Sequence, residues 1–270
     1  MRARRWLADH FAVLAAVAVL LYLFLPVGYT FAFSFNDHGK TNIVWQGFTL
    51  DHWKDPCGVP GVCESLVTSL QVGAIATVAA TVLGTMMALA MVRYRFRGRS
   101  ASNLLVFVPM ATPEIVLGAA LLTIFVQGFD DLGLDLGFWT IVFAHVMFCL
   151  SFVVVTVKAR LQSLDPRIEE AAQDLYAGPA QTFWTVTFPL VLPGILGAAM
   201  LAFSLSFDDV IITNFVSGNE ATFPKFVYVA SRRGIPAEAN VIGFSMFVAA
   251  VALVVGAQVV RSVRTSRSHR

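Results

Sequence analysis

Three carboxylates stand where a carboxylate is costly. Glu114, Asp208 and Asp209 lie in long apolar stretches that contain no Lys or Arg to pair with them. Ionisable groups at such depth mark ion or substrate paths by default. Carboxylates in a shared cavity suit a cation, and Phe203 and Phe207 beside Asp208 offer aromatic faces to an ammonium group. The competing role for Asp208 and Asp209 is structural, as caps on an interrupted helix. They do not make a proteolytic dyad, because neighbours on a helix point about 100° apart. No H-E-x-x-H, G-x-S-x-G or phosphate-cradling G-x-x-x-x-G-K-[ST] sequence occurs, so no catalytic residue is assigned and the chain is not read as an enzyme or an ATPase. His145 and Cys149 lie in one apolar stretch and read as packing residues, the histidine hydrogen-bonded. Cys57 and Cys63, in CGVPGVC, form either a disulfide or two free thiols. Two thiols with His52 as the nearest histidine do not make a zinc site, and no metal is expected.

The elements that must hold these groups follow from composition. Of 270 residues, 57% are hydrophobic and only 13% charged, against about 25% charged in a soluble domain. That balance excludes a disordered chain, a nucleic-acid binder and a small secreted disulfide scaffold. A bilayer core takes about 20 apolar residues of helix. Stretches of that kind place six spans at about 11–33, 66–92, 103–126, 138–157, 194–216 and 239–260, within a membrane domain over 11–260. Residues 1–10 and a basic tail over 261–270 flank it. Pro179, Pro189 and Pro193 are expected to break the long stretch 175–207, so that only its later part crosses. Pro109 and Pro113 are expected to kink the third span. Counted along straight helices, Glu114 lies roughly 17 Å and Asp208 roughly 21 Å from the inner edge. Asp209 then shares a face with Ser206 and Thr213.

Lys and Arg set the direction. With the N-terminus inside, fourteen of the 19 fall on the inner side, clustered at 2–5, 93–99, 158–167 and 261–270. The connection 127–137 carries Asp130, Asp131 and Asp135 with no base. Both termini are therefore placed in the cytoplasm, and RYRFRGR reads as a membrane anchor rather than a nucleic-acid patch. The outer segment FPKFVYVASRR is short and amphipathic, and its Lys225, Arg232 and Arg233 are out of place at a cation entrance.

The inner connection 158–190 is longer than a turn needs. Asp165 and Pro166 start a helix over RIEEAAQDLYA. Gly178 is a plausible C′ residue, followed by Pro179. A second short helix, AQTFWTVTF, runs to Pro189. Glu169, Glu170 and Asp174 bring negative charge to a basic side, and small Ala171 and Ala172 allow close approach of a partner. This element reads as a docking knob rather than a passive connector.

EEAAQDLYAGP followed by TVTFPLVLPGI resembles the EAA signature of ABC-importer permeases. Glu170, Ala171 and Ala172 match it, and Val186, Phe188 and Pro189 occupy its I-x-L-P places. Tyr176 stands where the signature has Gly, with Gly178 two residues later. WQGFTLDHW, SFDDVIITNFVSG and SRRGIPAEANVIG extend the likeness to nearly the whole chain and to the polyamine (spermidine/putrescine) permease subunits. The resemblance implies an all-α membrane protein with a six-helix type I importer (MetI-like) fold and cytoplasmic coupling helices. It implies a permease in the inner cell membrane, importing polyamines with energy from ATP. Glu169, Glu170, Ala171, Ala172, Asp174 and Gly178 then couple to the ATPase, while Glu114, Asp208 and Asp209 line the substrate pathway. The implied partners are a sister permease, two ATP-binding subunits and an extracytoplasmic solute-binding protein. ATP and Mg belong to those subunits, and no cofactor is bound by this chain. The alternative is a permease of the same class for another small organic solute or a metal complex.

Overall fold

The computed structural model describes residues 2–37, 42–130 and 135–268. Lys40, Asp131 and Arg270 of the charge tally lie outside these, as do the side chains of residues 1–9, 129–130, 257–258 and 260–268. The described elements are helices: α1 (Arg2–Phe33), α2 (Asp51–Lys54), α3 (Val62–Arg93), α4 (Arg99–Ala111), α5 (Glu114–Asp130), α6 (Phe138–Gln162) and α7 (Arg167–Asp174). They continue with α8 (Pro179–Thr182), a π-helical turn (Phe183–Thr187), α9 (Phe188–Asp208), α10 (Ile211–Val216), α11 (Phe223–Ala230) and α12 (Ala237–Ser268). Five stretches are long and apolar enough to cross a membrane: His10–Phe33, Val62–Arg93, Phe138–Gln162, Pro179–Asp208 and Ala237–Gly256. The pair α4 and α5 makes a sixth if counted as one bent span.

The third expected span, 103–126, is thus two helices meeting at 109°. The break falls at Thr112, which is extended (φ −81°, ψ 131°) because it precedes Pro113. Pro109 stays inside α4. The 17 Å depth count for Glu114 assumed a straight rise, and the bend removes its basis.

The fifth span differs in the opposite sense. Helix continues from Pro179 to Asp208 through Pro189 and Pro193, where a break was expected. The π-helical turn lies directly before Pro189 and ends with the Phe188 N–H on the Phe183 carbonyl. A wider turn accommodates the proline ring, which in a regular helix clashes with the carbonyl four residues back. At Pro193 the ladder loses another donor. The bond lost is the one to the Pro189 carbonyl; one residue on, Arg160 donates from Nε and Nη2 to the Leu190 carbonyl at 3.1 and 2.8 Å. A Cβ on Gly194 would sit 2.6 Å from the Arg160 Cγ, so the glycine makes room for this arginine. The span expected to run to 216 ends at Asp208, and α10 is a separate helix.

The chain divides into two compact units, Met1–Cys63 with Val227–Arg270, and Glu64–Phe226. In the second, α6 is the hub and packs against α9, α4 and α10. Ile141, Cys149, Val153, Val154 and Val157 of α6 are wholly buried there. Gly84 of α3 lies against Val153, closer than any side chain would permit. In the first unit α1 packs on α12. Trp53 stacks on Phe35 and donates to the Ser34 hydroxyl at 3.1 Å, while His52 pairs with Glu238 at 2.9 Å. A disulfide joins Cys57 to Cys63. The best apolar window of α6 is 61% buried and that of α1 0%. An apolar helix that covers so little of itself needs lipid or another subunit around it.

Candidate functional site

The site begins where α9 stops. Asp209 is extended (φ −66°, ψ 128°), and α10 starts two residues later. Its carboxylate accepts the backbone N–H groups of Ile212 (3.3 Å) and Thr213 (2.8 Å) and the Thr213 hydroxyl (2.8 Å). This satisfies donors that a helix start leaves open. His145 of α6 completes the arrangement. Its Nε2 lies 3.3 Å from Asp209 Oδ2 and 3.0 Å from Thr213 Oγ1, and its Nδ1 lies 2.7 Å from Ser206 Oγ. Both ring nitrogens are engaged, Nε2 toward Asp209 and Thr213 and Nδ1 toward Ser206. All four side chains are buried. His145 is thus the hydrogen-bonded packing residue the sequence suggests, and it holds α6 to both helices flanking the break. Ser206, Asp209 and Thr213 do meet, through the imidazole and across the break rather than along one helical face.

Glu114 and Asp208 are different. Glu114 is the first residue of α5, just past the 109° bend, and Asp208 is the last residue of α9. Both are exposed, and among the described residues neither makes an ion pair. Helices α5 and α10 pack together, with Gly118 against Phe215 and the Ile212 Cα. Glu114 lies one turn before Gly118 on the same face and within Coulombic range of Asp208 and Asp209. Phe203 and Phe207 stack 5.9 Å apart on α9, the second immediately before Asp208. The structure therefore separates the three acids. Asp209 is used within the chain, whereas Glu114 and Asp208 stand open at two neighbouring helix breaks.

The second candidate surface is α7 and its flanks. Asp165 Oδ1 accepts the Arg167 N–H at 3.0 Å, starting the helix as expected. The end differs. The C′ residue is Tyr176, not Gly178: its φ is +64°, its N–H bonds the Gln173 carbonyl, and the Ala177 N–H bonds that of Ala172. This is a Schellman ending built on tyrosine. The left-handed conformation costs a non-glycine residue about 1–2 kcal/mol. Gly178 is extended (φ −66°, ψ 161°) and precedes α8. Glu170, Ala171, Asp174 and Gly178 are exposed, and so are Ile168, Leu175, Tyr176 and Trp184. Glu169 faces inward. It pairs with Arg93 at the end of α3 and accepts the Thr187 hydroxyl at 2.8 Å.

The structure also accounts for Lys225. Its ammonium donates to Ser217 Oγ (2.6 Å), the Glu220 carbonyl (2.9 Å) and the Gly218 carbonyl (3.2 Å), closing the turn after α10. Burial holds its pKa below the usual lysine value, against the pull of Glu220. Arg232 lies over the Tyr228 ring and bonds its hydroxyl at 3.0 Å. These two cations are engaged locally.

Arg93, Arg160 and Thr187 carry these contacts, and the sequence did not single them out for them. The break at Asp209 did leave a signal, an Asp followed four residues later by a Thr at a helix start.

Comparison with known proteins agrees with this geometry. Residues 80–265 match the family described as the inner membrane component of binding-protein-dependent transport systems. The Escherichia coli K12 spermidine/putrescine transport system permease protein PotC is 34% identical over 249 residues, covering 92% of each chain. The putrescine transport system permease protein PotI of the same strain is 36% identical over 237 residues, covering 86% of this chain and 84% of that one. Among solved structures, a bacterial ABC transporter involved in alginate import superposes with a TM-score of 0.65 at 17% identity, covering 97% of this chain and 98% of that one. The alginate transporter in complex with an alginate-bound periplasmic protein gives 0.67 at 18% identity, covering 93% and 91%. Identities this low speak for the fold, which is the all-helical importer-permease fold. The chain is a multi-pass membrane protein belonging to the inner membrane component family of binding-protein-dependent transport systems.

Proposed function

We propose that this chain is a permease subunit of an ATP-driven importer whose cargo is a polyamine. One observation carries the cargo assignment: Glu114 and Asp208 stand open at adjacent helix breaks, and among the described residues no cation pairs with them. Spermidine and putrescine are flexible polycations, and two separated carboxylates with stacked Phe203 and Phe207 nearby match their spaced ammonium groups. The names of the 34–36% identical relatives support the same cargo. Asp209 acts as a positioning residue, fixing the end of α9 from which Asp208 projects. The chain has no phosphate-binding loop, so the energy comes from separate ATP-binding subunits. They dock on the exposed apolar and acidic surface of α7, on the cytoplasmic side in this reading, with both termini on that side. A sister permease and an extracytoplasmic solute-binding protein complete the transporter. Reconstitution of the co-encoded subunits in vesicles, with labelled spermidine and unlabelled competitors, tests the proposal. Uptake dependent on ATP and competed by putrescine supports it. Uptake competed only by a neutral or anionic solute overturns the cargo.

A further inference from the structure

A cavity of about 170 Å³ opens between α3, α4 and α6, away from the carboxylates. Its wall is mostly apolar, with Val106 and Phe107 of α4 and Val155 of α6 among its lining. Asn103, Lys158 and Gln162 line it as well. They sit at one end, because α4 begins near Asn103 and α6 finishes at Gln162. The Lys158 ammonium bonds the Asn103 side-chain oxygen, and the Asn103 amide in turn donates to the Arg99 carbonyl at 2.9 Å. Among the described residues Lys158 makes no ion pair, nor do Arg95, Arg97 and Arg99 on the adjoining turn. The cavity thus joins an apolar wall to a polar end that carries Lys158.

We infer that this cavity binds an acidic phospholipid, with its phosphate on Lys158 and part of one acyl chain against Val106, Phe107 and Val155. The volume is enough for about one benzene-sized group of carbons, so a chain segment fits where a whole lipid does not. The Lys158 charge selects an anionic headgroup over a zwitterionic one, and basic pockets between membrane helices do bind such headgroups. A soluble phosphate would satisfy Lys158 but leave the apolar wall uncovered. The wall therefore favours the lipid.

The test uses the assembled transporter, purified in detergent and given equal amounts of dioleoyl phosphatidylglycerol and dioleoyl phosphatidylcholine. Native mass spectrometry reads the bound lipid. The expected result is preferential retention of phosphatidylglycerol, about fivefold less of it in Lys158→Ala, and retention restored in Lys158→Arg. Val155→Phe, which fills the apolar part, also lowers it, while millimolar inorganic phosphate does not displace it. Equal retention of both lipids, no bound lipid, an unchanged Lys158→Ala, or displacement by phosphate alone overturns the inference.

Discussion

The Thr187 hydroxyl donates to Glu169 Oε1 at 2.8 Å, tying the first turn of α7 to the π-helical turn that opens the long helix ending at Asp208. Arg93 holds the same oxygen from the end of α3. A force applied to α7 thus reaches two membrane helices through one carboxylate. Removing it separates docking from transmission. Glu169→Ala is expected to cost roughly 1–3 kcal/mol of local stability, read as faster hydrogen exchange over 167–174. Glu170→Arg, on the exposed side, should leave that exchange unchanged and lower uptake by disturbing the docked ATPase. If Glu169→Ala exchanges like the parent chain, the link does not hold α7 in place.

Tyr176 carries a left-handed φ in a position that favours glycine. Tyr176→Gly should slow exchange over 167–177 about fivefold, as relief of about 1 kcal/mol implies. Tyr176→Val should speed it, since a β-branched residue tolerates this conformation least. If both variants exchange alike, the turn is not held in that conformation.

Asp208 and Asp209 are neighbours with opposite roles. Asp209→Ala leaves two helix-start N–H groups and the Thr213 hydroxyl without their acceptor, at a cost of about 1–3 kcal/mol for buried donors left unpaired. Its signature is a lower thermal midpoint and poor assembly. Asp208→Asn should assemble normally and lose uptake. Thermal unfolding of the two purified complexes distinguishes them, and equal stability would place Asp209 on the same footing as Asp208.

Gly194→Val is expected to push Arg160 off the Leu190 carbonyl, because no Cβ fits beside the arginine stem. Loss of two charge-assisted bonds there is worth about 1.5–3 kcal/mol, measurable as a lower midpoint than for Gly197→Val, whose Cβ position is open. Equal midpoints would show that the arginine is not fixed by that contact.

Much of the scaffold was legible in the sequence because lipid demands long apolar helices. The Asp165–Pro166 start of α7 was legible for a local reason, the chemistry of a helix start. The illegible parts depend on tertiary partners. Pro189 and Pro193 look like breakers, yet the helix runs through both, with a π-helical turn before the first and Arg160 bonded to the Leu190 carbonyl between them, and no local pattern announces an arginine thirty residues upstream. Thr112 was readable as a bend through the following Pro113, but not as one of 109°. The division of labour between Asp208 and Asp209 was not readable either, since it is decided by His145, which is distant in sequence. Tyr176 shows the converse. The local pattern pointed to Gly178 as the C′ residue, yet the left-handed turn falls on Tyr176, where the signature has Gly, although the side chain opposes it.

The most direct test compares ATP-driven spermidine uptake by vesicles holding the whole transporter, parent against Glu114→Gln/Asp208→Asn. With the two open carboxylates neutralised, uptake should fall about tenfold or more, the equivalent of at least ~1.4 kcal/mol, while subunit assembly and thermal midpoint stay unchanged. Uptake at the parent rate in that double variant would contradict the account.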